Sequence, residues 1–162
     1  MESKTQLPHV RSFRELLVYQ KARALAIEIF RLSARFPKEE KYSLTDQVRR
    51  SSRSVGAQIA EAWAKRRYEN HFISKLTDAD GEQQETQHWI DTAFDCGYWE
   101  GNTATQLLQQ CEEIGRLLGG MIAKSNQFCA GSPSSLRESI VEYLTHTSAE
   151  DERQPTDTTT DH

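Results

Sequence analysis

The sequence predicts an all-α fold, an up-down-up-down four-helix bundle followed by a short C-terminal helix and a disordered tail. Three observations carry this. Apolar residues recur at alternating steps of three and four in four successive segments. The segments are joined by short connections, which place consecutive helices antiparallel. No stretch alternates apolar and polar residues with the period of a strand.

The first helix opens at Ser12, where Ser12 and Glu15 have the spacing of a capping box. Val18, Ala22, Leu25, Ile29, Leu32 and Phe36 then form its seam. Pro37 stops it, because the ring removes a donor and disfavours helix at the preceding residue. Lys38-Glu39-Glu40-Lys41 reads as a charged loop, and Ser43 as the N-cap of helix two, with Asp46 in its first turn.

Helix two carries Leu44, Val48, Ser51, Val55, Ile59 and Ala62 on one face, with Ser52, Ser54, Gly56, Ala57 and Ala60 around it. Small residues there predict a closely approaching neighbour. Gly56 costs a helix up to ~1 kcal/mol relative to Ala, so its smallness is expected to serve a backbone contact.

Asn70 is the expected cap of helix three. Its seam is Phe72, Leu76, Ala79, Gln83, Thr86, Ile90, Ala93 and Gly97, with Gly97 also the C′ residue that ends the helix. Gln83 and Thr86 put an amide and a hydroxyl in mid-seam, where they must find partners and thereby fix register. After the turn Tyr98-Trp99-Glu100-Gly101, Asn102 is the expected cap of helix four. Leu107, Cys111, Ile114, Leu118 and Met121 form its seam, and the helix fades near Asn126.

These elements divide the 162 residues into a polar N-terminal arm (1–11), a bundle (12–128) and a C-terminal segment (129–162). Ala130-Gly131-Ser132-Pro133 is a linker. Ser135 and Glu138 cap a short helix at 134–144 whose Leu136, Ile140, Tyr143 and Leu144 share a face. From Thr145 the Ser/Thr/Asp/Glu-rich composition cannot offset its ordering entropy, and disorder is expected.

Twenty Lys and Arg against 24 Asp and Glu give a net charge of -4, which excludes a generally basic nucleic-acid coater. Hydrophobic residues make up 36% and mean hydropathy is -0.73. Such a chain either carries a disordered segment or completes its apolar burial in an oligomer. No apolar run approaches the ~18 residues of a membrane span. The opening residues lack the apolar stretch of a signal peptide, so the expected location is cytoplasmic. Cys96, Cys111 and Cys129 have neither zinc nor redox spacing and read as small hydrophobes in a reducing compartment.

The charge is unevenly spread. Residues 1–75 hold 16 Lys/Arg and 8 Asp/Glu; residues 76–162 hold 4 and 16. Either basic and acidic helices attract one another, within the fold or across an oligomer, or the basic half is a functional face.

The best basic constellation is Arg49, Arg50, Arg53, Lys65, Arg66 and Arg67. Arg49 and Arg53 are one turn apart, and Lys65-Arg66-Arg67 sits where cations offset the negative end of the helix dipole. The stripe reads as a phosphate-binding surface. The bland reading, which weighs more, is a charge cap with solvated arginines, or salt bridges to the acidic helix three of a neighbour.

Glu85-Thr86-Gln87-His88 has the Glu-x-x-His spacing of di-iron bundles, but His9, His71, His146 and His162 lack a Glu three positions earlier. A di-iron centre needs a second such motif, so Glu85 and His88 read first as a solvated pair. No Gly-rich phosphate loop, Gly-x-Ser-x-Gly elbow or Cys–His neighbour is present, and no cofactor is implied. Trp63, Trp89, Trp99, Tyr19 and Phe72 read as core or interface. The sequence thus yields no catalytic residue.

Gln47-Val48-Arg49-Arg50-Ser51-Ser52-Arg53-Ser54-Val55-Gly56-Ala57-Gln58-Ile59-Ala60-Glu61-Ala62 resembles the second helix of the four-helix-bundle proteins first noticed in 23S rRNA intervening sequences. Phe13 to Ala22 is similar to that family's start. His71-Phe72-Ile73-Ser74-Lys75-Leu76, Glu85-Thr86-Gln87 and Gly97-Tyr98 are similar to its third helix and turn. The similarity spans about residues 12–125. Ala62 and Ala64 stand where the family usually has glycine, a local change.

The resemblance implies a bundle that assembles into a homopentamer, and most of the family has no assigned activity. One branch, the accessory protein of diversity-generating retroelements, implies contact with a reverse transcriptase and with RNA or DNA. That branch is basic, whereas this chain is acidic overall. Two functions follow as expectations. The first is a non-catalytic, self-assembling scaffold with a nucleic-acid partner on helix two. The second is a metal-binding or enzymatic bundle organised by Glu85 and His88.

Overall fold

A computed structural model describes residues 10–129. Residues 1–9 of the N-terminal arm, the linker from Ala130, the expected helix at 134–144 and the acidic tail lie outside the described residues. Within them the chain is helical, without a strand. A 3-10 turn at Phe13–Glu15 leads into α1 (Leu17–Ser33). A second at Lys38–Glu40 leads into α2 (Leu44–Ala64), followed by α3 (Glu69–Asp95), α4 (Gly101–Ala123) and the single turn α5 (Ser125–Phe128). Each long helix packs on the next, and α4 closes against α1. This is the four-helix bundle that the periodicity predicts.

The seams hold nearly residue by residue. Val18, Ala22, Leu25 and Ile29 of α1 are buried, as are all six expected positions of α2, seven of the eight of α3 and all five of α4; Gly97, past the end of α3, is exposed. In α1 the seam continues through Ser33 rather than Leu32, which is only half-buried, since a straight helix drifts from a strict 3.5-residue repeat.

The mid-seam polar groups find their partners. Thr86 donates to the Glu82 carbonyl at 2.8 Å and shares a 3.0 Å hydroxyl–hydroxyl bond with Ser51 of α2. Gln83 Nε2 donates to Asp80 Oδ1 at 3.0 Å, and its Oε1 accepts from Gln87 Nε2 at 2.7 Å.

The helix starts differ from expectation. Ser12 Oγ accepts from the Arg14 N–H, but of a 3-10 turn. The Glu15 carboxylate accepts from Arg11 rather than closing a box on Ser12. Leu16, extended at φ -67° and ψ 127°, separates this turn from α1 and is itself buried. Ser43 does not cap α2 with its side chain. Glu40 Oε2 takes that role, accepting from the Leu44 N–H at 3.2 Å and the Ser43 hydroxyl at 3.0 Å. Asn70 and Asn102 lie inside α3 and α4, whose N-cap positions are Tyr68 and Glu100, without a side-chain cap.

The end of α3 matches its signal. Gly97 has φ +74°, the Gly97 N–H bonds to the Phe94 carbonyl, and the Tyr98 N–H bonds to the Ala93 carbonyl. That pair of bonds is a Schellman motif, which needs a left-handed residue and therefore favours glycine. The turn then places Trp99 and Tyr98 on Phe36, with ring centroids 4.9 and 5.3 Å apart. α1 ends at Ser33, before Pro37 can act, and Phe36 closes that end of the core.

Two expectations about small residues and thiols are corrected. No backbone crosses at Gly56, where an added Cβ would meet only the Tyr19 ring, at an ordinary 3.6 Å. The close approach is at Gly115 of α4, where a Cβ would stand 2.9 Å from Gln83 Nε2. Among the cysteines only Cys111 is fully buried, and burial pushes its thiol up to about 12; Cys96 is exposed.

Candidate nucleic-acid interface

Helix α2 separates the six basic candidates into two groups. Arg49, Arg50 and Arg53 lie in its first half and Lys65, Arg66 and Arg67 at and beyond its end. Twelve residues from Arg53 to Lys65 are ~18 Å of helix, so the structure does not gather them into one site.

Several of them are committed within the fold. Arg49 reaches across to α1, where its Nε donates to Ser33 Oγ at 2.7 Å and its Nη2 to the Phe30 carbonyl at 3.3 Å. Its guanidinium also lies over the Phe30 ring. Arg49 therefore satisfies the open carbonyl end of α1. Arg66 Nε donates to the Trp63 carbonyl at 2.8 Å, and its guanidinium stacks 3.5 Å above the Trp63 ring. Partial burial there lowers its pKa.

Arg50 donates to Gln47 and lies 3.6 Å from Glu85 of α3 while staying exposed. Arg53 borders the Phe30 ring at 5.6 Å. Among the described residues, Arg53, Lys65 and Arg67 have no acidic partner.

The first group opens onto a cleft of about 530 Å³, lined by Lys41, Tyr42, Asp46, Arg49, Arg50 and Arg53. Sequence reasoning missed Lys41 and Tyr42. They lie on the turn before α2, where the non-helical Ser43 (φ -120°, ψ -105°) breaks the register, so helical spacing from Arg49 and Arg53 does not point to them. On the other side of Arg53, an apolar trench of about 430 Å³ runs between α1 and α2. Gly56, Ala57 and Ala60 line it, with Ile27 and Phe30, 41% and 47% exposed, on its wall.

Glu85 and His88 are drawn into local contacts. Trp89 Nε1 donates to Glu85 Oε1 at 3.1 Å, and His88 packs edge-on against the Trp89 ring. Among the described residues no three His, Cys, Asp or Glu side chains stand close enough to hold a metal ion. No described helix is long and apolar enough to cross a membrane.

Nearby, one carboxylate oxygen of Glu82 is buried without a partner among the described residues. Desolvation first, then the charges of Glu85 and Asp78, raise its pKa, with Arg50 opposing. A carboxyl whose folded pKa is raised stabilises the fold below the ordinary carboxylate range. That stability is lost as pH rises through the raised value. Glu82→Gln should therefore raise the melting temperature at neutral pH and flatten this decline. Thermal melts of both proteins from acid to neutral pH check it; parallel curves would refute the assignment.

Charge segregation persists in three dimensions. Only Lys21–Glu113, Arg50–Glu85 and Lys75–Glu61 join different helices as ion pairs among the described residues. Attraction inside the chain thus accounts for little of the split between a basic α1–α2 half and an acidic α3–α4 half.

The family described as 23S rRNA-intervening sequence protein matches residues 14–120. Among solved structures, the chain is similar to a Bacteroides thetaiotaomicron protein of unknown function from the S23 ribosomal protein family. The two share 29% identity and a TM-score of 0.60 over 66% of this chain and 96% of that one. No match is found among the curated proteins. With its bundle, its helix-two sequence and a match over residues 14–120, this chain belongs to the 23S rRNA-intervening sequence protein family.

Proposed function

We propose that this protein is a non-catalytic, self-assembling helical-bundle scaffold of the cytoplasm that contacts nucleic acid through the first half of α2. The observation that carries the reading is the outer α1–α2 face. It presents an apolar trench flanked by half-exposed Ile27 and Phe30, beside an Arg53 without an acidic partner among the described residues.

Apolar surface of this kind calls for a partner, and the acidic α3–α4 half of a second copy has the complementary charge. Contacts between unlike faces are head-to-tail, and they close into a ring where the rotation between neighbours divides a full turn. The assembly we propose is a homopentamer, in which repetition brings several copies of Arg50 and Arg53 onto one surface. Each phosphate neutralised releases counterion, so binding to such a surface falls steeply with salt.

Native mass spectrometry should give five chains, and a single-chain mass at micromolar concentration would refute the assembly. RNA should be retained at ~20 mM salt and released near physiological salt. Arg50→Glu/Arg53→Glu should abolish retention without unfolding the protein; Arg49 is spared because it caps α1. Retention by the double variant at wild-type strength would move the interface elsewhere.

A further inference from the structure

We propose that Tyr42 is a stacking platform for a nucleobase, so that the basic cleft takes an unpaired nucleotide of a single strand rather than a duplex. The inference rests on the nucleic-acid reading above and assigns its substrate class. Tyr42 is 84% exposed, the most exposed large apolar side chain among the described residues. Its ring sits at the rim of the cleft with the Lys41 ammonium 5.2 Å from its centroid. It contributes nothing to the core.

The turn that displays Tyr42 is held firmly. The Ser43 N–H bonds to the Glu40 carbonyl, the Lys41 N–H to the Lys38 carbonyl, and the Tyr98 hydroxyl donates to Glu40 Oε1 at 3.0 Å. A solvent-facing ring on a hydrogen-bonded turn, with a cation beside it, is the arrangement with which proteins bind single strands. Bases stack on the aromatic face while basic side chains follow the phosphates.

The distribution of charge in the cleft fixes where the phosphates go. The Leu44 amide at the start of α2 is not open to an anion, because the Glu40 carboxylate already accepts from it. Asp46 on the near rim repels phosphate. Arg49 is turned toward α1. The remaining cations are Lys41 beside Tyr42 and Arg50 and Arg53 two to three turns along α2, so the strand runs from the ring toward Arg53. A volume of about 530 Å³ lies within the ~300–1,000 Å³ of small-ligand pockets, room for one nucleotide. A base inside a duplex has no free face to offer the ring.

The test compares a fluorescein-labelled single-stranded RNA oligonucleotide with its duplex at ~20 mM salt, the low-salt regime of phosphate binding. Wild type, Tyr42→Phe, Tyr42→Ala and Arg50→Glu/Arg53→Glu are measured. The expected result is a preference for the single strand. Tyr42→Ala should weaken it at least ~5-fold, the low end of base–aromatic stacking, with duplex affinity and salt slope unchanged. Tyr42→Phe should bind as wild type does. Because Tyr42 faces solvent, neither substitution should move the melting temperature.

Equal affinity for both forms, or a Tyr42→Ala protein that holds the single strand as wild type does, overturns the platform while leaving the arginine interface standing. Wild type that retains neither form overturns both.

Discussion

Phe72→Ala should lower the free energy of unfolding by about 3–5 kcal/mol, the usual loss for a buried aromatic truncated to alanine. Phe72 has no exposed surface and is the largest fully buried side chain among the described residues. It lies in the first turn of α3 and stacks on Phe128 of α5, ring centroids 6.1 Å apart. Beside it, the Ser125 hydroxyl donates to Glu69 at 2.6 Å. Truncation therefore opens a cavity and also releases α5, which has few other anchors. Domains of this size are stable by only ~5–15 kcal/mol, so the loss is a large fraction. Phe72→Leu refills most of the volume and should cost under about 1.5 kcal/mol. Urea denaturation separates the two: the midpoint should drop far more for Ala than for Leu, at unchanged slope. Equal midpoints would mean that the α3–α5 junction relaxes to fill the space.

The seams were legible in the sequence because burial in a bundle imposes one period on every helix. Leu76, Ala79, Ile90 and Ala93 had no other way to share a face, and all are buried. Even Gln83 and Thr86 were legible as buried polar groups needing partners. What could not be read was which partner each would take. Thr86 meets Ser51, 35 residues away in the chain.

Caps failed for a related reason. A Ser, Asn or Glu at the right spacing offers an acceptor, but the first-turn amides take whichever acceptor the incoming chain delivers. At α2 that is Glu40, because the 3-10 turn at Lys38–Glu40 swings its carboxylate under Leu44. Three bonds, from Leu44, Ser43 and Tyr98, hold the Glu40 pKa below the ordinary carboxylate range.

The candidate interface was half legible for the same physical reason. Arginine content marks a basic surface, but spacing alone does not reveal that Arg49 is spent on the carbonyl end of α1 or Arg66 on Trp63. Conversely, Tyr42 was hidden because aromatic residues are read as core. Its exposure follows from its place on the turn before α2, outside the seam. The functional candidates are thus the residues whose polar ends stay at the cleft surface, Lys41, Tyr42, Arg50 and Arg53, rather than the basic residues as a class.

Gly115→Leu should destabilise the protein by ~1–3 kcal/mol, the range for overpacking a well-filled site, whereas Gly56→Leu should leave its melting temperature nearly unchanged. The contrast follows from what each new side chain meets. At Gly115 a Cβ would stand 2.9 Å from Gln83 Nε2 and 3.4 Å from Asp80 Oδ1. Gln83 is 4% exposed and tied to both Asp80 and Gln87, so it can yield only by giving up hydrogen bonds in a buried position. The ~1 kcal/mol that glycine costs a helix is smaller than that loss. At Gly56 the Cβ meets one edge of the Tyr19 ring at 3.6 Å, and the rest of a leucine extends into the open trench between α1 and α2. Thermal melts of the two variants decide the matter. A Gly115→Leu protein that melts with wild type would show that Gln83 swings freely; a Gly56→Leu protein that melts far below it would restore a tight helix contact at that position. If Gly56→Leu keeps its fold but loses assembly by native mass, the trench is where a second copy seats.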